Sequence, residues 1–161
     1  MERLEHIPTW ENATYLGLSN LNLTGPIPQS ITKLQKLSFI SLAINKLNGN
    51  LSTIGWEKLS ALRALRLSKN NFGGSLTAFV GNIRSLTFLD IANNALRGEI
   101  PYTLSKMKNL KSLTLSNNMF SGSLRPLRTL TNLDELLLDG NNFSDSEMHW
   151  LSNLTETEVF T

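Results

Sequence analysis

Apolar residues along this chain recur in a long fixed unit, not at the spacing of an isolated helix or strand. Leu42, Asn45, Leu47 and Gly49 return in register as Leu67, Asn70, Phe72 and Gly74, then as Ile91, Asn94, Leu96 and Gly98, then as Leu115, Asn118, Phe120 and Gly122. A weaker copy precedes them at Leu18, Leu21, Leu23 and Gly25, and another follows at Leu138, Asn141 and Phe143. The key position falls at 21, 45, 70, 94, 118 and 141, in steps of 23 to 25 residues. Each unit also carries leading leucines, such as Leu86 and Leu89 or Leu110 and Leu113. Such a period means stacked coils, because one unit cannot cover its own apolar side chains and a neighbour must bury them. The pattern predicts an α/β-type repeat solenoid, a right-handed curved stack of about six coils. Parallel short strands are expected at 15–18, 39–42, 64–67, 88–91, 112–115 and 135–138, forming a concave sheet, with 3-10 turns and loops on the other faces.

The recurring asparagine has a structural reading. Asn45, Asn70, Asn94, Asn118 and Asn141 follow the predicted strands, where an inward-turned amide pairs backbone groups of adjacent coils. Left unpaired, such groups cost roughly 1–3 kcal/mol each. These five residues are predicted to form a ladder, not to bind a ligand.

The second half of the unit carries a family resemblance. Gly25, Ile27 and Pro28, and Gly98, Ile100 and Pro101, fit a Leu-x-Gly-x-Ile-Pro pattern, while Gly49 with Leu51, Gly74 with Leu76 and Gly122 with Leu124 keep its Gly-x-apolar part. Over about residues 13–155 the chain resembles the plant-specific class of leucine-rich repeats found in receptor-like kinase ectodomains, receptor-like proteins and polygalacturonase-inhibiting proteins. The resemblance implies a tight turn at the glycine and a second short strand on the flank holding the following Ile or Leu and ending at proline. It departs from the family at Leu21, where the ladder wants Asn, and in lacking cysteine pairs before and after the repeats.

The ends differ from the middle. Residues 1–13, with Trp10, are expected to be an N-terminal cap, and 14–143 the leucine-rich-repeat solenoid. Residues 144–161 read as a degenerate repeat or a C-terminal cap: Leu151 and Leu154 keep the spacing of Ile31 and Leu34, but Thr157 falls where a leucine is expected.

Aligning the coils on Leu16, Ile40, Leu65, Leu89, Leu113 and Leu136 lets the concave face be read as columns. One column runs Tyr15, Phe39, Ala64, Phe88, Ser112, Glu135, and the next Gly17, Ser41, Arg66, Asp90, Thr114, Leu137. Further columns hold Ser38, Arg63, Thr87, Lys111, Asp134 and Asn20, Ile44, Lys69, Asn93, Asn117, Gly140. Aromatics on a solvated sheet mark contact points more readily than small polar residues do. The candidate partner-binding residues are therefore Tyr15, Phe39, Arg63, Arg66, Lys69, Phe88, Asp90 and Asn93. Charge is sorted along the stack, with Arg63, Arg66 and Lys69 in the third unit and Asp134, Glu135 and Asp139 in the sixth, which would orient a partner of complementary polarity. The alternative is that Phe39 and Phe88 fill gaps between strands and the charges only solubilise the face.

Composition excludes other classes. Net charge is +2 over 161 residues, despite a sequence pI near 9.0, which argues against nucleic acid as a partner. No window approaches the roughly 18 consecutive apolar residues of a transmembrane segment. The charged opening does not read as a signal peptide, so secretion would need a leader outside this chain. There are no cysteines, hence no disulfides or thiolate metal sites. His6 and His149 lie about five repeats apart, and no nucleophile elbow, phosphate loop or pocketed carboxylate pair is present. No enzyme activity, metal or cofactor is expected. Asn12, Asn22, Asn50, Asn142 and Asn153 head glycosylation triplets; chance gives roughly three to four, so these permit a secretory history without requiring one.

The leading functional reading is a non-catalytic recognition module that docks a protein or peptide ligand, or a glycan, on the concave face, at an extracellular or cell-surface location. The alternative is a scaffold subunit accessory to an organellar or membrane complex. A third is an ice-binding protein, since the resemblance extends to some plant antifreeze proteins, but Ser19, Ser68, Ser116 and Asn20, Asn93, Asn117 form only a partly regular array.

Overall fold

The computed structural model describes residues 10–76, 83–144, 150–151 and 158–160. His6, His149, Asn153, Leu154 and Thr157 lie outside the described residues, as does most of the expected N-terminal cap.

Two parallel sheets run the length of the stack. The first has seven strands in chain order: Tyr15–Gly17, Phe39–Ser41, Ala64–Arg66, Phe88–Asp90, Ser112–Thr114, Glu135–Leu137 and Glu158–Phe160. Its register sets Leu16 beside Ile40, then Leu65, Leu89, Leu113 and Leu136, the alignment that the leucine pattern gives. The seventh strand places Val159 beside Leu136. Each of the first six strands ends one residue short of the sequence expectation; the next apolar residue, such as Leu42 or Leu67, is fully buried and its N–H still donates to the neighbouring coil.

The second sheet has six strands: Thr24–Pro26, Lys46–Asn50, Asn71–Gly74, Ala95–Glu99, Met119–Gly122 and Asn142–Phe143. The resemblance put the following Ile or Leu inside these strands. They lie just past them instead: Ile27, Leu51, Leu76, Ile100 and Leu124 follow the last strand residue and are buried. The recurring glycine bends the chain there: it takes positive φ, from 77° at Gly122 to 95° at Gly49, at or one residue before the end of the strand, and the second side chain after it drops into the core. Pro28 and Pro101, with φ near −70°, then cap 3-10 helices at Gln29–Lys33 and Tyr102–Lys106. Shorter 3-10 turns at Leu51–Thr53, Trp56–Lys58 and Arg125–Leu127 return the chain to the first sheet.

Between the sheets the apolar residues of all coils form one continuous core, from Leu16 and Leu23 to Leu138 and Trp150. Full burial of a Leu or Phe side chain contributes about 1.5–3 kcal/mol, so the core favours stacking, but it is non-directional and does not by itself set how one coil sits on the next.

The inner asparagines set that. Asn94 accepts a hydrogen bond at Oδ1 from the Phe72 N–H, 3.0 Å away. Its Nδ2 donates to the carbonyls of Ile91 and Ala92 in its own coil and of Leu67 in the coil before. Asn70, Asn118 and Asn141 repeat this, accepting from Leu47, Leu96 and Phe120 and donating back to Leu42, Ile91 and Leu115. Asn45 accepts from both Leu21 and Leu23. The residue before each of them is left-handed, and before Asn45, Asn70, Asn94 and Asn118 its N–H donates to the next coil, as in Ile44 to Ser68 and Asn93 to Ser116.

Two substitutions test this framework. Asn94→Ala, which leaves the Phe72 N–H without its partner and removes one of the two amide hydrogen bonds to the Leu67 carbonyl, is expected to lower stability by about 1–3 kcal/mol, read as a drop in the urea midpoint at unchanged slope; an unchanged midpoint would refute the ladder role of this residue. At Gly122 an added Cβ would lie 2.7 Å from Glu99 Cγ and would force φ +77° on a non-glycine residue, so Gly122→Ala should cost about 1–2 kcal/mol. A midpoint within error of the natural chain would contradict that.

Candidate functional site

The outer face of the first sheet is built from residues that flank the buried leucines. Side chains alternate across a strand, so in each coil the residues before and after the central leucine face outward together. The first of these columns brings Tyr15 and Phe39 together: their rings are stacked at 4.4 Å between centroids and within 1° of parallel. Gly17 makes this possible. A Cβ there would come within 2.8 Å of the Tyr15 ring, so the missing side chain leaves room for the tyrosine to lie over the strand. Tyr15 remains 64% exposed, leaving one face of the pair open to solvent.

Ala64 separates this pair from Phe88 in the same column. Phe88 has its own partner, with the Arg66 guanidinium carbon 4.8 Å from the ring centroid. This cation–π contact holds the long Arg side chain extended across the face. Asp90, the register neighbour of Arg66, takes its hydrogen bonds from the Ser68 hydroxyl at 2.6 Å and the Ala92 N–H at 3.2 Å. Aromatic and cationic groups are thus grouped in the first to fourth coils, with a carboxylate fixed beside them.

The other candidates are spread around this centre. Arg63 donates to the Ser85 carbonyl at 3.3 Å, on the edge where the chain enters the sheet. Lys69 and Asn93 sit at the opposite edge, exposed, in the left-handed column. The acidic coil is tied to the one before it: Ser112 donates to Glu135, Ser116 to Asp139, and Lys111 pairs with Asp134 at 3.4 Å. One residue that the sequence reading did not select stands out on the same edge as Lys69. Ile44 is left-handed at φ 57° and 49% exposed. The signal for it lay in its own column, where Asn20, Asn93, Asn117 and Gly140 suit that conformation and an isoleucine does not.

The glycosylation triplets are placed away from this centre. Asn22, Asn50 and Asn142 are exposed beside or within the second sheet, and Asn12 accepts from Lys36 Nζ at 2.6 Å. Asn50 already accepts from the backbone and hydroxyl of Ser52, within its own triplet. Among the described residues no group of three His, Asp or Glu side chains is arranged to hold a metal ion, and no helix is long and apolar enough to cross a membrane.

The leucine-rich-repeat family model matches residues 85–107 and 109–130. Receptor-like protein 41 of Arabidopsis thaliana is 34% identical over 135 residues, covering 81% of this chain. The chain spans only 15% of that relative's length. Among solved structures, the ectodomain of the Arabidopsis receptor kinase HAESA, in complex with an extended IDA peptide hormone ligand, superposes with a TM-score of 0.84 at 35% identity, covering 93% of this chain and 25% of its own. A chain of the BIR3–SERK2 complex from Arabidopsis thaliana superposes with a TM-score of 0.72 at 30% identity, covering 82% of this chain and 70% of its own. The repeat pattern, the two-sheet coil and these relatives agree: the chain belongs to the plant-type leucine-rich-repeat family, that of receptor-like proteins and receptor-kinase ectodomains.

Proposed function

We propose that this chain is a non-catalytic recognition module at the cell surface, part of a receptor-type ectodomain that docks a peptide on its concave face. The observation that carries the reading is the Arg66–Phe88 contact beside the open Tyr15–Phe39 stack. Partly exposed rings and an extended guanidinium on a rigid sheet are what a large ligand covers with the greatest gain. Arg63, Lys69, Asp90 and Asn93 surround this centre and supply polar contacts at its rim. Support comes from the HAESA ectodomain, whose similar solenoid was solved with a peptide hormone.

The test is selection of a displayed library of random dodecapeptides on the immobilised chain, followed by titration of the enriched peptides. Replacing Phe88 and Arg66 together by Ala is expected to weaken them by about 2 kcal/mol or more, some thirtyfold, with the circular dichroism and melting curve of a folded solenoid. Failure to enrich any peptide, or equal binding by the double variant, would overturn the reading and move the interface to a flank or an end, as a scaffold subunit would use.

A further inference from the structure

The left-handed column after the first sheet is imposed by the fold. At all of its positions from Asn20 to Asn117 the N–H donates to a carbonyl of the next coil, in Asn20 to Ala43, Ile44 to Ser68, Lys69 to Ala92, Asn93 to Ser116 and Asn117 to Asp139, at 2.8–3.0 Å. The φ values lie between 54° and 58° whatever the side chain. Asn and Gly adopt this conformation readily, whereas a β-branched residue there is an outlier and a lysine is disfavoured. Four of the six positions hold Asn or Gly. The exceptions, Ile44 and Lys69, occupy neighbouring coils and lie on the edge of the same coils that carry Phe39 and Arg66.

The fold holds the backbone there, and a sequence that keeps a poorly suited side chain at such a position points to a use for that side chain. Ile44 fills no core space, being 49% exposed, and Lys69 is exposed. Neither side chain therefore offsets its backbone cost by burial. We propose that Ile44 and Lys69 are specificity-determining residues, a rim subsite that takes an apolar side chain of the bound peptide beside an acidic one. This rests on the peptide-binding reading above and names the chemistry that reading leaves open. Adjacent coils are about 4.8 Å apart, and alternate residues of an extended peptide share a face about 6.5 Å apart. An apolar residue on Ile44 thus puts the second residue beyond it within reach of the Lys69 ammonium. The motif is apolar-x-Asp/Glu, read along the stack from the second coil to the third.

The same dodecapeptide library tests this on three proteins: the natural chain, Ile44→Asn and Lys69→Asn. Both variants place in the left-handed column a residue that suits it, so both are expected to melt about 2–4 °C higher than the natural chain. Peptides selected on the natural chain should carry the apolar-x-acidic pair. Those selected on Ile44→Asn should lose the apolar preference, and those on Lys69→Asn the acidic one, with titration showing a loss of at least fivefold for the natural-chain peptides. A gain in stability with a loss of selectivity is a signature that a purely structural role would not produce. Identical motifs on all three proteins, or melting temperatures that stay level or fall, would overturn the assignment. If peptides are enriched in a way that depends on Phe88 and Arg66 but not on the rim, this inference alone falls; if the folded natural chain enriches none, the recognition reading falls with it.

Discussion

The structure depends on one side chain doing two opposite things at once. A coil that turns inward after its strand buries backbone carbonyls and N–H groups that have no regular partner, and it does so in every repeat. Asparagine carries the shortest side-chain amide, with one acceptor oxygen and two donor hydrogens on separate atoms. In Asn70 and Asn118 it satisfies carbonyls of its own coil while reaching into the one before. Aspartate could not donate and glutamine would be a methylene too long for the same turn. Each amide is thus a clamp between consecutive coils, and the leucine core fills the space that the clamps define.

That clamp has consequences at the surface. The backbone around it is not free to vary, so the residue before it is left-handed in coil after coil, and the two exposed columns beside the central leucine keep a constant spacing. Recognition chemistry is confined to side chains that the framework ignores. Tyr15, Phe39, Arg66 and Phe88 occupy such positions, and so does the strained Ile44. A rigid platform with interchangeable outward residues lets ring stacking and a cation–π contact be set up before any ligand arrives, which lowers the entropy lost when one binds.

The repeat architecture and strand register were legible because a period of 23 to 25 residues with leucines at fixed offsets admits one stacking. Leu16, Ile40 and Leu65 align in the sequence as they do in the sheet. Local backbone was less legible. The positive φ at Gly49 or Gly122 bends the chain at or just before the end of the flank strand, and Leu51 and Leu124 fall past it, a turn that a periodic pattern does not display. On the face, adjacency in a column could be read, but not which neighbour a flexible side chain selects. Arg66 lies beside Asp90 in register yet stacks on Phe88, because Ser68 and the Ala92 N–H already hold the carboxylate. Ile44 is legible only against its column, where four of the other coils hold Asn or Gly.

The central claim is that the ligand lies across the first sheet at the first to fourth coils. Hydrogen exchange of the chain with and without a selected dodecapeptide tests it most directly, since exchange reports protection segment by segment. The account predicts slower exchange on binding at 14–20, 38–45, 63–70 and 87–94, with the flank strands Lys46–Asn50, Asn71–Gly74 and Ala95–Glu99 unchanged. Protection confined to those flank strands or to the 3-10 helices would contradict it.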